Sequence, residues 1–446
     1  MGVFDGYESD YSEKDVKSKV VAQADNLINS RIWSLKDDKR QVVKKAKRLR
    51  DSDAKSDTFT GPWAGFAGEK EKREALMAQM MEREEEVKKN KLESEQLALK
   101  QEPEKSSTKF ATFHGQRVKG RSWLSLPVSN SDKAPTLADR SCFIPKQAVH
   151  TWRGHTAGVQ RVRLFPGTGH LLLSASMDGS CKIWDYYGDR ECLMTYKGHS
   201  QAVREVQFTN DGRGFYSAGF DTLARFWDTE TGQVVATCEN DTLLNCLAVH
   251  PSVQHSIVVG CQNRKAFQWD MRDPTKPAQT YTGHQGAVNS ATFLEDGRKF
   301  VTTSDDKRIH IYNYGIDVVD HYIADPNMHS IPAIALHPDR QAFVGQSMNN
   351  QIVTYQATGT FPIIRKKKFI GHTSAGYAIQ PAFSADGRFL ISGGSDGSLN
   401  FWDWNTTNLY KSIHAHKGVC ISAAWHPLHS SRVVTCGWDG LIKLWD

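Results

Sequence analysis

The sequence predicts an all-β fold: a seven-bladed β-propeller with a long, mostly extended or disordered N-terminal arm that contains some helix. Three observations carry this. An aromatic ring recurs at Trp184, Trp227, Trp269, Tyr312, Tyr355, Trp402 and Trp445, in steps of 43, 42, 43, 43, 47 and 43 residues. A Gly-His pair or its equivalent precedes six of these rings by 26 to 30 residues, at His155, His199, His284, His329, His372 and His416. A turn-forming acid or amide sits six residues before every ring, at Asp178, Asp221, Asn263, Asp306, Asn349, Asp396 and Asp439. A period of about 40–45 residues with Gly-His early and Trp-Asp late is the signature of one propeller blade.

The arm, residues 1–146, comes first. It holds 29 Lys and Arg against 24 Asp and Glu, so it carries five of the six net positive charges of the chain. It has no repeat and too few periodic apolar positions to build its own core. Lys39–Arg50 is a basic cluster suited to nuclear import or to RNA phosphates. Residues 68–100 are rich in helix formers and lack Pro, which predicts a solvated or partner-bound helix rather than a coiled coil. Isolated aromatic anchors follow at Trp63, Phe66, Trp123 and Phe143, each in a short Gly-, Ser- or Pro-bearing string. Spaced large side chains on an extended segment can dock in grooves of other proteins and order on binding.

The propeller, residues 147–446, is nearly neutral, with 27 Lys and Arg against 26 Asp and Glu. Short alternating runs such as Gln201–Phe208 read as half-buried strands. Asp-Gly pairs at 178–179, 211–212, 296–297, 386–387, 396–397 and 439–440 supply turns between them. A four-stranded seventh blade needs one more strand than the last repeat offers. Gln147–Trp152 has the pattern that precedes Gly-His elsewhere, as in Glu191–Tyr196, and is expected to fill the place. That closure would remove an exposed sheet edge.

Inside each blade, His, a hydroxyl, Asp and the ring can satisfy one another in a hydrogen-bonded relay. The hydroxyl stands at Ser174, Ser217, Thr302, Ser392 and Thr435. The set is complete in repeats one, two, six and seven. Repeat four has Tyr312 for Trp. Repeats three and five, with Val259 and Gly345 at the hydroxyl position, are degenerate and expected to be looser. Histidines spaced one per blade cannot converge on one ion, so no metal or other cofactor is expected. Residues just before the turn acids should face one open end of the ring. Trp438, Met177 and Phe220 fall there on neighbouring blades and are expected to form an apolar partner-binding patch.

Other classes are excluded by what the sequence lacks. No apolar stretch reaches membrane-spanning length, and no apolar signal segment follows Met1. The eight cysteines are scattered singly, as in a reducing compartment. There is no phosphate-cradling glycine loop, nucleophile elbow or metal-binding helix motif, so the chain reads as a rigid interaction platform without enzymatic activity or a small-molecule substrate.

Strings outside the generic repeat carry a resemblance. They are Gly61-Pro-Trp-Ala64, Gly120-Arg-Ser-Trp-Leu124, Cys142-Phe-Ile-Pro-Lys146, Ser304-Asp-Asp-Lys307, Met328-His-Ser330, Gln346-Ser-Met-Asn349, Gly376-Tyr377 and the closing run Thr435–Asp446. In these the chain resembles the pre-mRNA-processing factor 17 family, WD-repeat splicing factors acting around the second catalytic step. The similarity spans about 61–446, and residues 1–60 match no motif. The resemblance implies a non-catalytic nuclear scaffold that supports the exon-ligation conformation of the spliceosome. It implies spliceosomal proteins as partners, and small nuclear RNA or pre-mRNA near the basic arm. The alternative is a WD-repeat adaptor of another nuclear assembly, such as a ubiquitin ligase or chromatin complex. The arm strings favour splicing, since a generic adaptor has no reason to carry them.

Overall fold

The computed structural model describes residues 111–113, 123 and 141–446. The basic cluster at 39–50, the helix expected near 68–100, and Trp63 and Phe66 lie outside the described residues.

The described residues form seven antiparallel sheets. The first blade runs from an inner strand Val159–Leu164 through Leu171–Ser176 and Ser180–Asp185 to an outer strand Cys192–Lys197. Blades two to six repeat this order over 203–239, 244–281, 288–323, 333–369 and 382–414. The seventh takes Cys420–Trp425, Val433–Gly437 and Ile442–Trp445. Its outer strand is Ala148–Trp152, from the other end of the propeller sequence, with Trp152 opposite Ile442 and Ala148 opposite Trp445. The inner strand of each blade touches that of the next, and the seventh returns to the first. The ring is therefore closed through backbone pairing between the two ends of the propeller sequence.

The apolar core is divided among the blades. Seven buried clusters exist among the described residues, each shared by two neighbouring blades. This follows from the pleat: a strand points alternate side chains to opposite faces, and both faces of every inner sheet meet another sheet. Strands such as Leu171–Ser176 and Ser256–Cys261 are accordingly buried at every position. The turns follow the Asp-Gly pairs. Gly179 has a φ of +74°, and a Cβ there would stand 3.0 Å from the His199 carbonyl oxygen, so this turn needs glycine twice over. Repeats three and five form complete four-stranded blades despite their degenerate relays.

Part of the arm completes the ring from outside. Ala111–Phe113 pairs antiparallel with the outer strand of blade one, making that sheet five-stranded. The compact unit that contains the ring runs from Lys105 to Asp446.

Candidate functional site

The relays close in blades one, two and seven. In blade one, His155 Nδ1 donates to Asp178 at 2.9 Å, since an ionised carboxylate only accepts. Nε2 then accepts from Ser174 Oγ at 2.8 Å, and the same Oγ accepts Trp184 Nε1–H at 2.9 Å. Blade two repeats this with His199, Asp221, Ser217 and Trp227. Blade seven repeats it with His416, Asp439, Thr435 and Trp445. Burial would raise the Asp221 carboxyl, but the His199 hydrogen bond and charge, with Arg225, pull it down to about 2. These acids stay ionised and hold each histidine in one tautomer.

In blade four, His284 joins Asp306 at 3.0 Å and Thr302 at 2.8 Å, while the phenol of Tyr312 sits 3.3 Å from His310 Nδ1. His284, Asp306 and His310 place their ligand atoms within 4.8 Å of one another. They do not make a metal site, because His284 spends both nitrogens on Asp306 and Thr302. The two rings also stack nearly parallel, 4.0 Å apart, rather than converging on a point.

Blade six corrects the sequence reading. It carries His372, Ser392, Asp396 and Trp402 at suitable spacings, yet the relay is open. His372 Nε2 donates to Gln346 Oε1 of blade five at 2.9 Å. Trp402 Nε1 donates to the Ile370 carbonyl at 2.9 Å, and Asp396 accepts from the amide and hydroxyl of Ser398 at 3.1 and 2.6 Å. Ser392 Oγ reaches only the Gly393 carbonyl, at 3.3 Å. The cause is local. The inner strand is only Ala382–Phe383, and the lead-in bends at Gly371 (φ +102°) and Gly376 (φ +81°). His372 also stands 24 residues before Asp396, one or two more than in the closed relays. Burial pulls the His372 imidazole down to about 4, with Asp396 opposing weakly. In the degenerate blades, Trp269 Nε1 finds Asn240 Oδ1 at 3.2 Å, and His329 is exposed. Asn349 Oδ1 has no hydrogen-bond partner among the described residues, whereas Asn350 Oδ1 caps the amide and hydroxyl of Ser374 at 2.7 and 2.9 Å.

The turn face holds the expected apolar residues unevenly. Met177 is 37% exposed, and Phe220 and Trp438 are half-buried. Trp438 lies edge-on to Tyr377, with centroids 5.0 Å apart, and crosses Gly158, where a Cβ would meet the Trp438 Cα at 3.0 Å. The Met177 amide donates to the Gly158 carbonyl at 2.9 Å, so Met177 and Trp438 flank the same loop. Phe220 stands one blade further, its amide bound to the Ala202 carbonyl at 2.9 Å.

The arm anchors divide. Trp123 is 9% exposed and packs in the core between blades one and two, with Phe165, Phe208 and Trp227. Its amide donates to Glu230 at 2.9 Å, and its carbonyl accepts from His170 Nε2 at 2.6 Å. This corrects the expectation that Trp123 is an anchor for another protein: a ring buried in the chain's own propeller is not available to a foreign groove. Phe143 is 59% exposed, while the adjacent Cys142 is buried in the core between blades six and seven. The sequence offered no pointer to the Trp123 seat, because His170 and Glu230 lie 47 and 107 residues away.

Five stretches, 146–185, 190–228, 275–313, 364–403 and 407–446, match the WD domain, G-beta repeat family. The unmatched repeats are the third and fifth, the degenerate ones. The chain is 40% identical to human "Pre-mRNA-processing factor 17" over 99% of its own length and 77% of that protein. It is 31% identical to the Saccharomyces cerevisiae protein of the same name, over the whole of both chains. The chain belongs to the pre-mRNA-processing factor 17 family. Its likeness to mouse "WD repeat-containing protein 25" is lower, 28% over 69% of the chain. The pre-mRNA-processing factor 17 likeness reaches through the arm, whereas this one covers about the length of the propeller.

Proposed function

We propose that the chain is a non-catalytic scaffold of pre-mRNA splicing in the nucleus that supports the exon-ligation conformation of the spliceosome. The observation that carries this is the collinear similarity to two pre-mRNA-processing factor 17 proteins over essentially the whole chain, arm included. A generic propeller adaptor would share the blades and not the arm. The structure suits the role: closed relays and seven interblade cores make a stiff ring, and the histidines and acids of the closed relays are occupied by one another.

The partner surface is assigned to spliceosomal proteins at Met177, Phe220, Trp438 and Phe143, and at Trp63 and Phe66 of the arm. The basic cluster 39–50 is assigned to small nuclear RNA or pre-mRNA. Exposed Met and aromatic groups on a stiff frame suit protein contact, and a lysine-rich segment suits phosphates. The test is affinity purification of the intact chain from nuclear extract, with depletion and add-back in a splicing reaction. Recovery of small nuclear RNAs is expected, with lariat intermediate accumulating on depletion and exon ligation restored by the chain. Recovery of no small nuclear RNA above a mock purification would refute the assignment. Accumulation of unspliced precursor instead would refute the second-step placement.

A further inference from the structure

The ring encloses a cavity of about 400 Å³ along its axis, lined by inner strands and opening beside Asn210, Asp296 and Arg340. Two arginines of the strand Val159–Leu164 project into it. Arg161 is 7% exposed, and its Nη2 is hydrogen-bonded to Glu205 Oε2. Arg163 Nη2 donates to the other oxygen of the same carboxylate at 3.0 Å. Arg161 Nε and Nη1 and Arg163 Nε are buried and have no hydrogen-bond partner among the described residues. Arg204 stands beside them, its Nη1 on Gln160 Oε1 at 3.2 Å.

The charges do not balance. Arg161 and Arg163 share one carboxylate, Glu205, and Arg204, outside the cavity lining, lies near enough for its charge to act on Arg161, so among the described residues two positive charges are left over. At the mouth Arg340 and Asp296 neutralise each other. Cys246 and Cys436, nearby, are pushed up to about 12 by burial and remain neutral thiols. Burial and the neighbouring Arg163 and Arg204 hold the Arg161 guanidinium well below its usual value. The buried Arg161 charge, beside like charges, destabilises a fold unless something compensates it, whereas the Arg163 side chain keeps part of its surface in solvent. Guanidinium groups are the side chains that best match the oxygens of a tetrahedral oxyanion.

We propose that the axial cavity is a binding site for a small dianionic or polyanionic ligand of the phosphate class, held by Arg161 and Arg163 with Arg204 adding charge. The two excess charges match a dianion, and the volume lies within the range of small-ligand pockets, roughly 300–1,000 Å³. Glu205 positions the arginines by sharing its two oxygens between them. A phosphate seated there would touch inner strands from several blades and stabilise the ring.

The test uses the intact chain and inorganic pyrophosphate as probe. Calorimetric titration and thermal melts are run against chloride at equal ionic strength, with succinate as the carboxylate comparison. Saturable binding is expected, with a raised Tm and slowed amide exchange in 159–164. Arg163→Gln, whose side chain is 41% exposed and therefore tolerant, should weaken binding at least tenfold, and Arg204→Gln should weaken it independently. Lys366→Gln/Lys368→Gln, on the surface of blade five, should leave it unchanged. No saturable binding beyond the chloride control would overturn the proposal. Binding that survives both arginine substitutions would also overturn it and place the probe on surface or arm lysines. Equal affinity for succinate would overturn the phosphate class. If an arginine variant fails to fold, the exchange protection of 159–164 in the unaltered chain still decides.

Discussion

Ser174 and Ser392 occupy the same position in two repeats that look equally complete in sequence, and the structure assigns them unequal worth. Ser174 Oγ serves His155 Nε2 at 2.8 Å and Trp184 Nε1 at 2.9 Å. Ser174→Ala strands both in a fully buried place. Each stranded group costs about 1–3 kcal/mol, so the loss for two is about 2–6 kcal/mol. Ser392 Oγ makes one long contact with a carbonyl, and neither His372 nor Trp402 depends on it. Ser392→Ala should cost less than about 1 kcal/mol. At roughly 2–4 °C per kcal/mol for a domain near this size, Ser174→Ala lowers Tm by about 4–24 °C and Ser392→Ala by less than about 4 °C. Thr435→Ala, which strands His416 and Trp445, should resemble Ser174→Ala. The assay is calorimetric melting at one fixed scan rate, with circular dichroism to show that each variant folds. Equal losses for Ser174→Ala and Ser392→Ala would refute the open relay of blade six.

Three further outcomes are expected. The buried His372, at about 4 against an ordinary value near 6.5, is neutral when folded and takes up a proton only on unfolding, so stability falls as pH drops from about 6.5 to 4. His372→Gln should remove about 1.4 kcal/mol per pH unit of that slope, and denaturant titrations at pH 7, 6 and 5 that match the unaltered chain would refute it. A chain beginning at residue 153 loses the strand Ala148–Trp152 and the buried Trp152, and should melt well below one beginning at 141; equal melting temperatures would show that closure does not depend on this strand. Trp123→Ala should cost about 3–5 kcal/mol by emptying its seat between blades one and two, and unchanged melting would show that the seat is not occupied in solution.

What the sequence made legible was what repeats. The 42-to-47-residue step fixed seven blades, and the pattern shared by Gln147–Trp152 and Glu191–Tyr196 located the closing strand, because both features are local and periodic. The weak repeats were also legible at Val259 and Gly345, and the same two escape the family match. Blade six was misread because residue type and spacing do not record backbone path. One or two extra residues before Asp396 and a two-residue inner strand were enough to turn His372 toward Gln346, a residue of the neighbouring blade. Trp123 was misassigned for a related reason. An aromatic on an extended segment announces docking, but not whether the groove belongs to a partner or to the same chain.

The same limit hid the axial arginines. In Val159–Leu164 the run Arg-Val-Arg-Leu at 161–164 alternates charged and apolar residues, which in an ordinary antiparallel sheet means one core face and one wet face. In a closed ring the wet face of an inner strand points down a narrow axis instead. Charge that would be solvated at an outer edge is there confined, and Glu205 on the adjacent blade answers only part of it. Position in the ring, not residue type, therefore separates the two kinds of buried polar group in this protein. The histidines of the closed relays sit between strands and find their relay partners within one blade, so they stiffen the scaffold. The arginines sit on the axis, where no single blade can satisfy them, so any function beyond stiffness has more room to act at Arg161 and Arg163 than at the conspicuous histidines.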